Sequence, residues 1–461
     1  MDHEEAVANA SSVSPLLDED EAKDIVLAYM FSGAIGDAEG QCVSYSHLST
    51  TPATSTWLAA LEDEDSDEGS TPVNRFRLDI NRLSRAVVAH EPIVMSESDL
   101  DDCVLAATGS RVKSAVRSAD GSFSISYRVS VVDSSQDLIV QLRYHADVTS
   151  MNLLMSLISS TISHAILPLP KVYMIPGEQQ RQLKTGWGRQ VARWIEGTMA
   201  HAAYPTMSHK ARFSLVQDMA HAYEALWNLA IPSGAGKRPL IGELRASRKS
   251  AQDASVLHVG PDRHYGLGGP FKSTQEYIGA HIAFALRSLE KQEGIEEYQD
   301  RYLSRLRTFV KSGMNNIPTI VEDVLVVATH SDMGFHNVII SSADRPSIKA
   351  VIDWEFVAAA PFAVSCTLIE RLFRQPAGNL LGSEYPGADE LREAFWSAIP
   401  KWKKRYEQES TKVFLEWWDF AQFLKAEAPI GIVDVDVEAR WKFWSKNVEV
   451  IEEMLEKYGR S

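Results

Sequence analysis

The chain has 461 residues, 45% of them hydrophobic, and a formal net charge of -16. A chain of this length exceeds a single hydrophobic core and predicts two or three packed units. The acidic charge argues against nucleic-acid binding, because nucleic-acid phosphates demand Lys and Arg, and it would attract a cationic small molecule.

The cysteines and the hydropathy of the chain indicate its compartment. Cys42, Cys103 and Cys366 are far apart and odd in number, so they suggest neither a disulfide framework nor a metal pattern. The acidic N-terminus lacks the apolar core of a secretory signal, and no apolar run is long enough to span a bilayer. These features predict a protein in a reducing, cytoplasmic setting, with no membrane segment.

The N-terminal part of the chain carries no motif with assignable chemistry. Residues 1–20 are polar and acidic and predict a disordered terminus. Residues 21–108 predict an N-terminal extension with helices, and the acidic run at residues 62–68 predicts a solvated loop. The last of these helices is expected at residues 97–107, with Ser96 as its capping residue.

Three runs of alternating apolar residues predict an antiparallel sheet. They span residues 111–118, 126–132 and 137–144, with polar turns between them. The first turn contains Gly121, Ser122, Phe123 and Ser124. A helix is expected to follow the third strand at residues 148–160, and it contains no acidic residue.

Two further strands are expected before the chain becomes helical. Residues 167–175 contain a Pro-Leu-Pro sequence and lead into the fourth strand. Residues 176–189 are polar and are expected to form a loop. Residues 190–197 predict the fifth strand and a linker, which contains Trp194, Ile195 and Glu196.

From residue 198 onward the sequence predicts mostly helices. Apolar residues recur with a helical period at residues 208–229, 274–292 and 295–312. Residues 232–272 are rich in Gly, Pro and polar residues and predict a long insertion. The C-terminal part predicts four helices rich in Trp, at residues 363–374, 388–405, 411–427 and 437–458.

The motif that carries chemistry lies ahead of these last helices. Apolar runs at residues 338–340 and 350–352 predict two short buried strands, which a polar turn joins as a hairpin. Polar side chains flank both strands: His330, Asp332 and Asn337 precede the first, and Asp353 and Glu355 follow the second.

This layout brings carboxylates and an amide to one end of a hairpin. Carboxylate and amide oxygens are hard ligands that suit magnesium together with substrate phosphates. Asp332 could accept a hydroxyl proton, while Asn337 and Asp353 hold the metal. His-x-Asp followed five residues later by Asn, with an Asp at a later strand end, is the spacing of the kinase catalytic loop.

These residues resemble the aminoglycoside phosphotransferase and choline kinase-like family, in particular its fungal branch. The resemblance covers residues 110–362 and is carried by His330, Asp332, Asn337 and the run Ile352-Asp353-Trp354-Glu355. In that family the metal-binding strand ends in Asp-x-Asp or Asp-x-Glu, not in Asp-Phe-Gly. The run therefore favours the small-molecule kinases over the protein kinases.

The resemblance implies a protein kinase-like, two-lobed α+β fold. Residues 109–197 would form a small antiparallel-sheet N-lobe and hinge, and residues 198–461 a large, mostly helical C-lobe with the catalytic loop and the acceptor pocket. It also implies ATP and Mg²⁺ as cofactors and transfer of the γ-phosphoryl group to a hydroxyl of a small molecule. The acidic charge would favour an acceptor that bears amines.

The resemblance implies which residues contact the nucleotide. The turn from Gly121 to Ser124 is similar to the family's phosphate loop. Arg143, in Val140-Gln-Leu-Arg143, stands where a lysine normally pairs with the phosphates, and its guanidinium fork would replace a point charge. The linker residues Trp194, Ile195 and Glu196 would receive the adenine edge on backbone groups.

The resemblance also implies a role for each residue of the catalytic motif. Asp332 would orient or deprotonate the acceptor hydroxyl, and His330 would brace the loop through its ring. Asn337 and Asp353 would hold magnesium, with Glu355 behind the metal through water or as a second ligand.

Departures from the family pattern leave alternatives open. Arg143 replaces the lysine, residues 148–160 offer no Glu to orient it, and Ala359-Ala-Pro361 lacks the family's downstream Asp. One alternative is a catalytically impaired pseudokinase that acts as a nucleotide-binding or protein-interaction module. The second alternative is a protein kinase, which is disfavoured by Asp353-Trp-Glu355 and by the lack of an Ala-Pro-Glu segment. The third alternative is a structural protein that merely keeps the fold.

Overall fold

The structure is a computed structural model of the chain. It describes residues 41–50, 54–63, 74–81, 87–89, 95–118, 124–132, 134–143, 147–233, 238–248, 253–262, 266–292, 294–313, 316–377, 380–424 and 437–459. Three predictions fall outside these residues: the disordered terminus at 1–20, the larger part of the acidic loop at 64–68, and the turn residues Gly121, Ser122 and Phe123.

The chain divides into two compact units. The first comprises Met1–Thr149 and Val172–Trp194, and the second comprises Ser150–Lys171 and Ile195–Ser461. Antiparallel sheets dominate the first unit and helices the second, which confirms the predicted α+β fold class. Residues 150–171, which the sequence-based N-lobe included, group with the helical unit.

The first unit contains a four-stranded antiparallel sheet in the order β1-β2-β3-β4. Its strands are Gln41–Thr50 (β1), Thr54–Asp63 (β2), Asn74–Asn81 (β3) and Val87–Ala89 (β4). No strand is predicted at residues 41–89, so this sheet corrects that part of the expected extension. In β3, Phe76, Leu78 and Ile80 alternate with charged residues, a two-residue apolar period typical of a strand, whereas β1 is rich in Ser and Thr.

The predicted helix of this region is present as Glu97–Thr108 (α1). Ser96 Oγ accepts a hydrogen bond from the Asp99 N–H, and the Asp99 carboxylate accepts one from the Ser96 N–H, which forms a capping box. The helix ends at Gly109, whose φ of 79° is left-handed and whose N–H donates to the Leu105 oxygen.

A five-stranded antiparallel sheet forms the rest of the first unit, in the order β5-β6-β7-β9-β8. The strands are Val112–Arg117 (β5), Ser124–Val131 (β6), Leu138–Arg143 (β7), Val172–Tyr173 (β8) and Gly188–Arg193 (β9). Val129, Val140 and Val191 pack with Cys103 and Val104 of α1 in one buried core. The predicted helix after β7 is Val148–Thr161 (α2).

A helix, Glu178–Thr185 (α3), replaces the loop expected at residues 176–189. It has no apolar face that the sequence could reveal. It is held instead by the buried carboxylate of Glu178, which accepts hydrogen bonds from the Arg189 N–H at 2.7 Å and from the Arg189 guanidinium at 2.8 Å. A buried ion pair therefore fixes this helix to β9.

Long helices make up most of the second unit. The N-terminal ones are Ala200–Ala203 (α4), His209–Trp227 (α5), Thr274–Lys291 (α6) and Glu296–Gly313 (α7). The C-terminal ones are Cys366–Arg371 (α8), Ala388–Ala398 (α9), Pro400–Tyr406 (α10), Glu409–Phe423 (α11), Val437–Phe443 (α12) and Ser445–Tyr458 (α13). In the described part of the chain, no helix is long and apolar enough to cross a membrane.

Three of the expected C-terminal helices are interrupted. The one predicted at residues 437–458 divides at Trp444 into α12 and α13. The helix predicted at residues 388–405 breaks at Pro400, which cannot donate a helical hydrogen bond. The one predicted at 363–374 gives way to a hairpin of Arg374–Ala377 (β17) and Leu380–Glu384 (β18). The tryptophans of this region pack between helices: Trp402, Trp417 and Trp444 are at most 2% exposed.

Two sheets in the second unit carry the catalytic motif. The predicted hairpin is confirmed as Val338–Ile340 (β14) and Ile348–Val351 (β15), and Thr198–Met199 (β10) pairs with β14. The other sheet has the order β12-β11-β16-β13, from Gly242–Ser247 (β11), Val256–Gly260 (β12), Val326–His330 (β13) and Val357–Pro361 (β16). The region predicted as a long insertion, residues 232–272, thus contributes the antiparallel pair β11 and β12 beside the motif strand β16.

Candidate active site

The catalytic motif occupies the loop between β13 and β14. The Ser331 N–H donates to the Phe356 oxygen at 2.7 Å, which fixes the loop to the segment before β16. The loop closes in a 3₁₀ turn, Phe335–Asn337, where the Asn337 N–H donates to the Gly334 oxygen at 3.0 Å. Backbone hydrogen bonds at both ends thus hold the side chains between them in place.

His330 is fully buried and connects the loop to the end of β15. Its Nδ1 accepts from the Asp332 N–H at 3.2 Å, and its Nε2 lies 3.2 Å from the Ile352 oxygen. Since Nδ1 is an acceptor, Nε2 carries the proton and donates to Ile352. Burial lowers the pKa of His330 more than the charges of Asp332 and Asp353 raise it, so the ring is neutral.

Asn337 is buried and holds Asp332. Its Nδ2 lies 2.9 Å from the Asp332 backbone oxygen and 2.9 Å from Asp332 Oδ2. Its backbone oxygen accepts from the Ile352 N–H at 2.9 Å. Because the amide nitrogen faces Asp332, the amide oxygen points the other way and remains as a ligand atom.

Asp332 is partly buried, with 35% of its side chain exposed. Its Oδ1 lies 2.9 Å from His336 Nε2. Burial raises the pKa of Asp332, but the hydrogen bond and charge of His336 and the hydrogen bond from the Asn337 amide outweigh it, so the pKa is lowered. Asp332 is therefore ionised at neutral pH and can accept a hydrogen bond from a hydroxyl group.

Asp353 follows β15 in a left-handed backbone conformation with φ 64°. The buried ring of Trp354 anchors this bend, since its Nε1 donates to the Val351 oxygen at 2.8 Å. Left-handed conformations are costly for residues other than glycine and are found where the surrounding structure imposes them. The backbone strain at Asp353 thus coincides with the carboxylate predicted to hold metal.

The acids of the motif do not converge into a three-acid cluster. Among the described residues, no group of three or more His, Cys, Asp or Glu side chains could hold a metal ion. Glu355 is partly buried two residues after Asp353. Asn337 and Asp353 carry an amide oxygen and a carboxylate, which are hard oxygen donors of the kind that suits magnesium.

Arg143 ends β7 and lies opposite Ser124 in the sheet register. Its side chain is buried rather than directed out of the sheet edge, with 3% exposed. Its Nε donates to Gln190 Oε1 at 3.1 Å and an Nη atom donates to Gln141 Oε1 at 3.0 Å. Two glutamine amides thus help to orient the guanidinium.

The linker residues divide between the two units. The Trp194 N–H donates to the Asp137 oxygen at 3.0 Å, so the sheet already uses this donor. The guanidinium of Arg128 lies 4.7 Å from the centre of the Trp194 ring. Ile195 and Glu196 begin the second unit, the former partly buried and the latter exposed.

Two residues of the site were not predicted from the sequence. His336 reaches Asp332 from four positions further along the loop, a spacing that could have been noticed. Tyr223 of α5 donates its hydroxyl to the Met333 oxygen at 2.6 Å. Since Tyr223 lies 110 residues from Met333, no local pattern marks it.

The fold is similar to that of several solved kinases. One is a thermostable mutant of aminoglycoside phosphotransferase APH(4)-Ia in a complex with AMP-PNP and hygromycin B, with 12% identity, a TM-score of 0.44 and coverage of 77% of this chain and 98% of the other. The streptomycin-ATP-APH(2")-IIa complex shows 13% identity, a TM-score of 0.43 and coverage of 79% and 98%. A putative fructosamine-3-kinase from Thermobifida fusca shows 13% identity and coverage of 78% and 100%, with a TM-score of 0.43. No protein-family model and no curated protein matches the chain.

Proposed function

We propose that the chain is an ATP-dependent phosphotransferase that transfers the γ-phosphoryl group of ATP to a hydroxyl of a small molecule. The observation that carries this proposal is the way Asp332 is held. Asn337 binds its Oδ2 and backbone oxygen, and His330 binds its N–H. A carboxylate fixed in this way suits phosphoryl transfer, where catalysis is largely positioning and charge stabilisation.

In the proposed reaction the hydroxyl oxygen attacks the γ-phosphorus. A new P–O bond forms, the bond from the γ-phosphorus to the bridging oxygen breaks, and ADP leaves. Asp332 orients the hydroxyl and takes up its proton. Because the pKa of Asp332 is lowered, the carboxylate is a weak base, so orientation is its main contribution.

Asn337 and Asp353 would hold magnesium in this reaction. The chemistry that magnesium supplies is neutralisation of the charge that develops on the phosphates. Magnesium takes few protein ligands beside waters and substrate phosphates, which agrees with a donor set of one amide and one carboxylate. Glu355 would support the metal through water.

Arg143 would pair with the phosphates of the nucleotide, since Gln190 and Gln141 orient its guanidinium and the guanidinium fork matches phosphate oxygens. The turn from Gly121 to Ser124 would cover the phosphates with backbone groups. Ile195 and Glu196 would offer backbone groups to adenine; the Trp194 N–H would not, because it already bonds Asp137. The net charge of -16 favours an acceptor that bears amines.

The alternative function is that of a catalytically impaired pseudokinase that binds nucleotide or a protein partner. The observation that favours it lies at Arg143. Its glutamine partners are neutral, and α2 contains no Asp or Glu that could orient it as kinases do. The protein would then bind ATP without transferring its phosphoryl group.

The test combines nucleotide binding with turnover. We expect ATP with magnesium to raise the Tm of the wild type, and the rise to be lost in Asp353→Asn, which tolerates the left-handed backbone but lacks the charge. We expect ADP release with hydroxylated amines, and its loss in Asp332→Ala. A magnesium-dependent shift without turnover would support a nucleotide-binding pseudokinase. No shift at millimolar ATP would refute the phosphotransferase and leave the pseudokinase that binds a protein partner.

A further inference from the structure

His336 contacts Oδ1 of Asp332, the carboxylate oxygen that Asn337 does not contact. Its Nε2 is 2.9 Å from Oδ1, whereas Asn337 Nδ2 is 2.9 Å from Oδ2. Because Asp332 is a carboxylate, the imidazole nitrogen is the donor in this hydrogen bond. The two contacts therefore hold opposite oxygens of the same carboxylate.

The loop is built so that the imidazole ring can reach Asp332. A Cβ atom at Gly334 would lie 2.6 Å from His336 Cε1 and 2.8 Å from Nδ1. Gly334 has φ -106° and ψ 177°, a conformation open to any residue. The backbone conformation does not require glycine here, so the space taken by the ring explains why this position lacks a side chain.

Holding both oxygens fixes the plane of the carboxylate. Rotation of Asp332 about its Cβ–Cγ bond would break the bond to His336, to Asn337 or to both. Each carboxylate oxygen can accept about two hydrogen bonds, so each retains room for an acceptor hydroxyl. With His336 removed, the oxygen Oδ1 would lose its partner and the plane would be held from one side only.

We propose that His336 is a positioning residue for phosphoryl transfer, which orients Asp332 by holding Oδ1. The inference rests on the proposed function, because it assumes that Asp332 orients the acceptor hydroxyl. The pair is exposed, with 46% of the His336 side chain accessible, and exposed pairs contribute little to stability. We therefore expect the contact between His336 and Asp332 to affect kcat rather than the free energy of unfolding.

The inference is tested by steady-state kinetics of ADP release from ATP and magnesium, with water as the acceptor. We expect His336→Ala to lower kcat roughly ten- to a hundredfold, the order expected for a misplaced group, with KM for ATP and Tm unchanged. His336→Gln keeps an N–H donor of similar reach and should recover most of kcat. Gly334→Ala should copy His336→Ala, because its methyl group displaces the ring.

A matched control and a double variant sharpen the test. His209 Nε2 lies 2.9 Å from Glu390 Oε2 with 43% of its side chain exposed, a similar pair outside the catalytic loop. We expect His209→Ala to leave kcat unchanged. The double variant Gly334→Ala with His336→Ala should be no slower than His336→Ala alone, because both changes remove the same contact.

The possible results separate this inference from the proposed function. If the wild type turns over and Asp332→Ala does not, an unchanged kcat in His336→Ala overturns the positioning role alone. The positioning role is also overturned if kcat falls equally in His336→Ala and His209→Ala, or if the fall in kcat of His336→Ala comes with a lower Tm. If the wild type releases no ADP with water or with hydroxylated amines, the proposed function and the inference fail together.

Discussion

One side-chain nitrogen of Asn337 donates to Asp332 twice, to its backbone oxygen and to Oδ2, at 2.9 Å in each case. The backbone oxygen of Asn337 accepts the Ile352 N–H, one residue before Asp353. A single buried residue therefore connects the carboxylate that would orient the acceptor to the strand end that would hold metal. This relationship explains physically why an amide stands five residues after Asp332.

Replacing Asn337 by Ala should impair both stability and turnover. The change removes two hydrogen bonds and leaves a buried carbonyl without its partner, which costs about 1–3 kcal/mol. We expect ADP release to fall at least a hundredfold, since Asp332 loses its main support. Asn447→Ala is the control: Asn447 is also buried and donates to the Phe423 oxygen at 2.9 Å, so this variant should lose stability but not kcat.

Tyr223→Phe should slow turnover through the backbone of the catalytic loop. Its hydroxyl donates to the Met333 oxygen at 2.6 Å, and removal should cost about 1 kcal/mol in the free energy of unfolding. Tyr204→Phe removes a similar buried hydroxyl that donates to the Leu372 oxygen at 2.8 Å. We expect the two variants to lose equal stability and only Tyr223→Phe to have a lower kcat. Equal kcat values in the two variants would show that turnover does not depend on the hydrogen bond to Met333.

The sequence predicted those parts of the fold that local patterns encode. The strand β6 alternates apolar and polar residues, and Ser96 with Asp99 marks the start of α1 by its own chemistry. The helix α3 was missed because one buried residue, Glu178, stabilises it through a partner in β9. Such a pairing depends on the tertiary structure, which no window of the sequence contains.

The same division applies to the site. The spacing of His330, Asp332, Asn337 and Asp353 predicted the motif, because each lies at the end of a strand or in one short loop. The contact of His336 with Asp332 depends on a ring that lies over Gly334, and that of Tyr223 depends on the packing of a distant helix. These supporting contacts are geometric and required the structure.

Replacing Asp353 should increase the stability of the fold and abolish metal binding. Its φ of 64° favours glycine, so Asp353→Gly should raise the free energy of unfolding without ligand by about 1 kcal/mol. The same change should abolish the rise in Tm that ATP with magnesium produces. Urea denaturation and thermal shift measure the two effects. A variant that is destabilised and still responds to magnesium would contradict the assignment of strain and ligand to this residue.

Gly197→Ala should destabilise the second unit. A Cβ atom at this position would lie 2.5 Å from the Ile340 oxygen and 2.6 Å from Ile339 Cγ2, where β10 pairs with β14. Backbone must move to admit it, so we expect a loss of about 1–3 kcal/mol in urea denaturation. His201→Ala, at an exposed position of α4, should change stability by less than about 0.5 kcal/mol.

The titration of Asp419 in α11 should lower the free energy of unfolding as pH rises. Burial raises the pKa of Asp419 to about 6 from an ordinary 3.8, and Lys446 opposes this only weakly. Because the folded state holds this proton more tightly than the unfolded chain, the stabilisation is complete below about pH 4 and is lost as pH rises through about 6.

Asp419→Asn should remove this dependence, because the amide stays neutral at every pH. At about pH 8 we expect the variant to exceed the wild type in free energy of unfolding by on the order of 2 kcal/mol, and at about pH 4 to equal it. Urea denaturation across this range measures the difference, with Glu407→Gln, an exposed carboxylate in the same region, as the control. A pH-independent difference would show that Asp419 is ionised in the fold and that some other contact balances its burial.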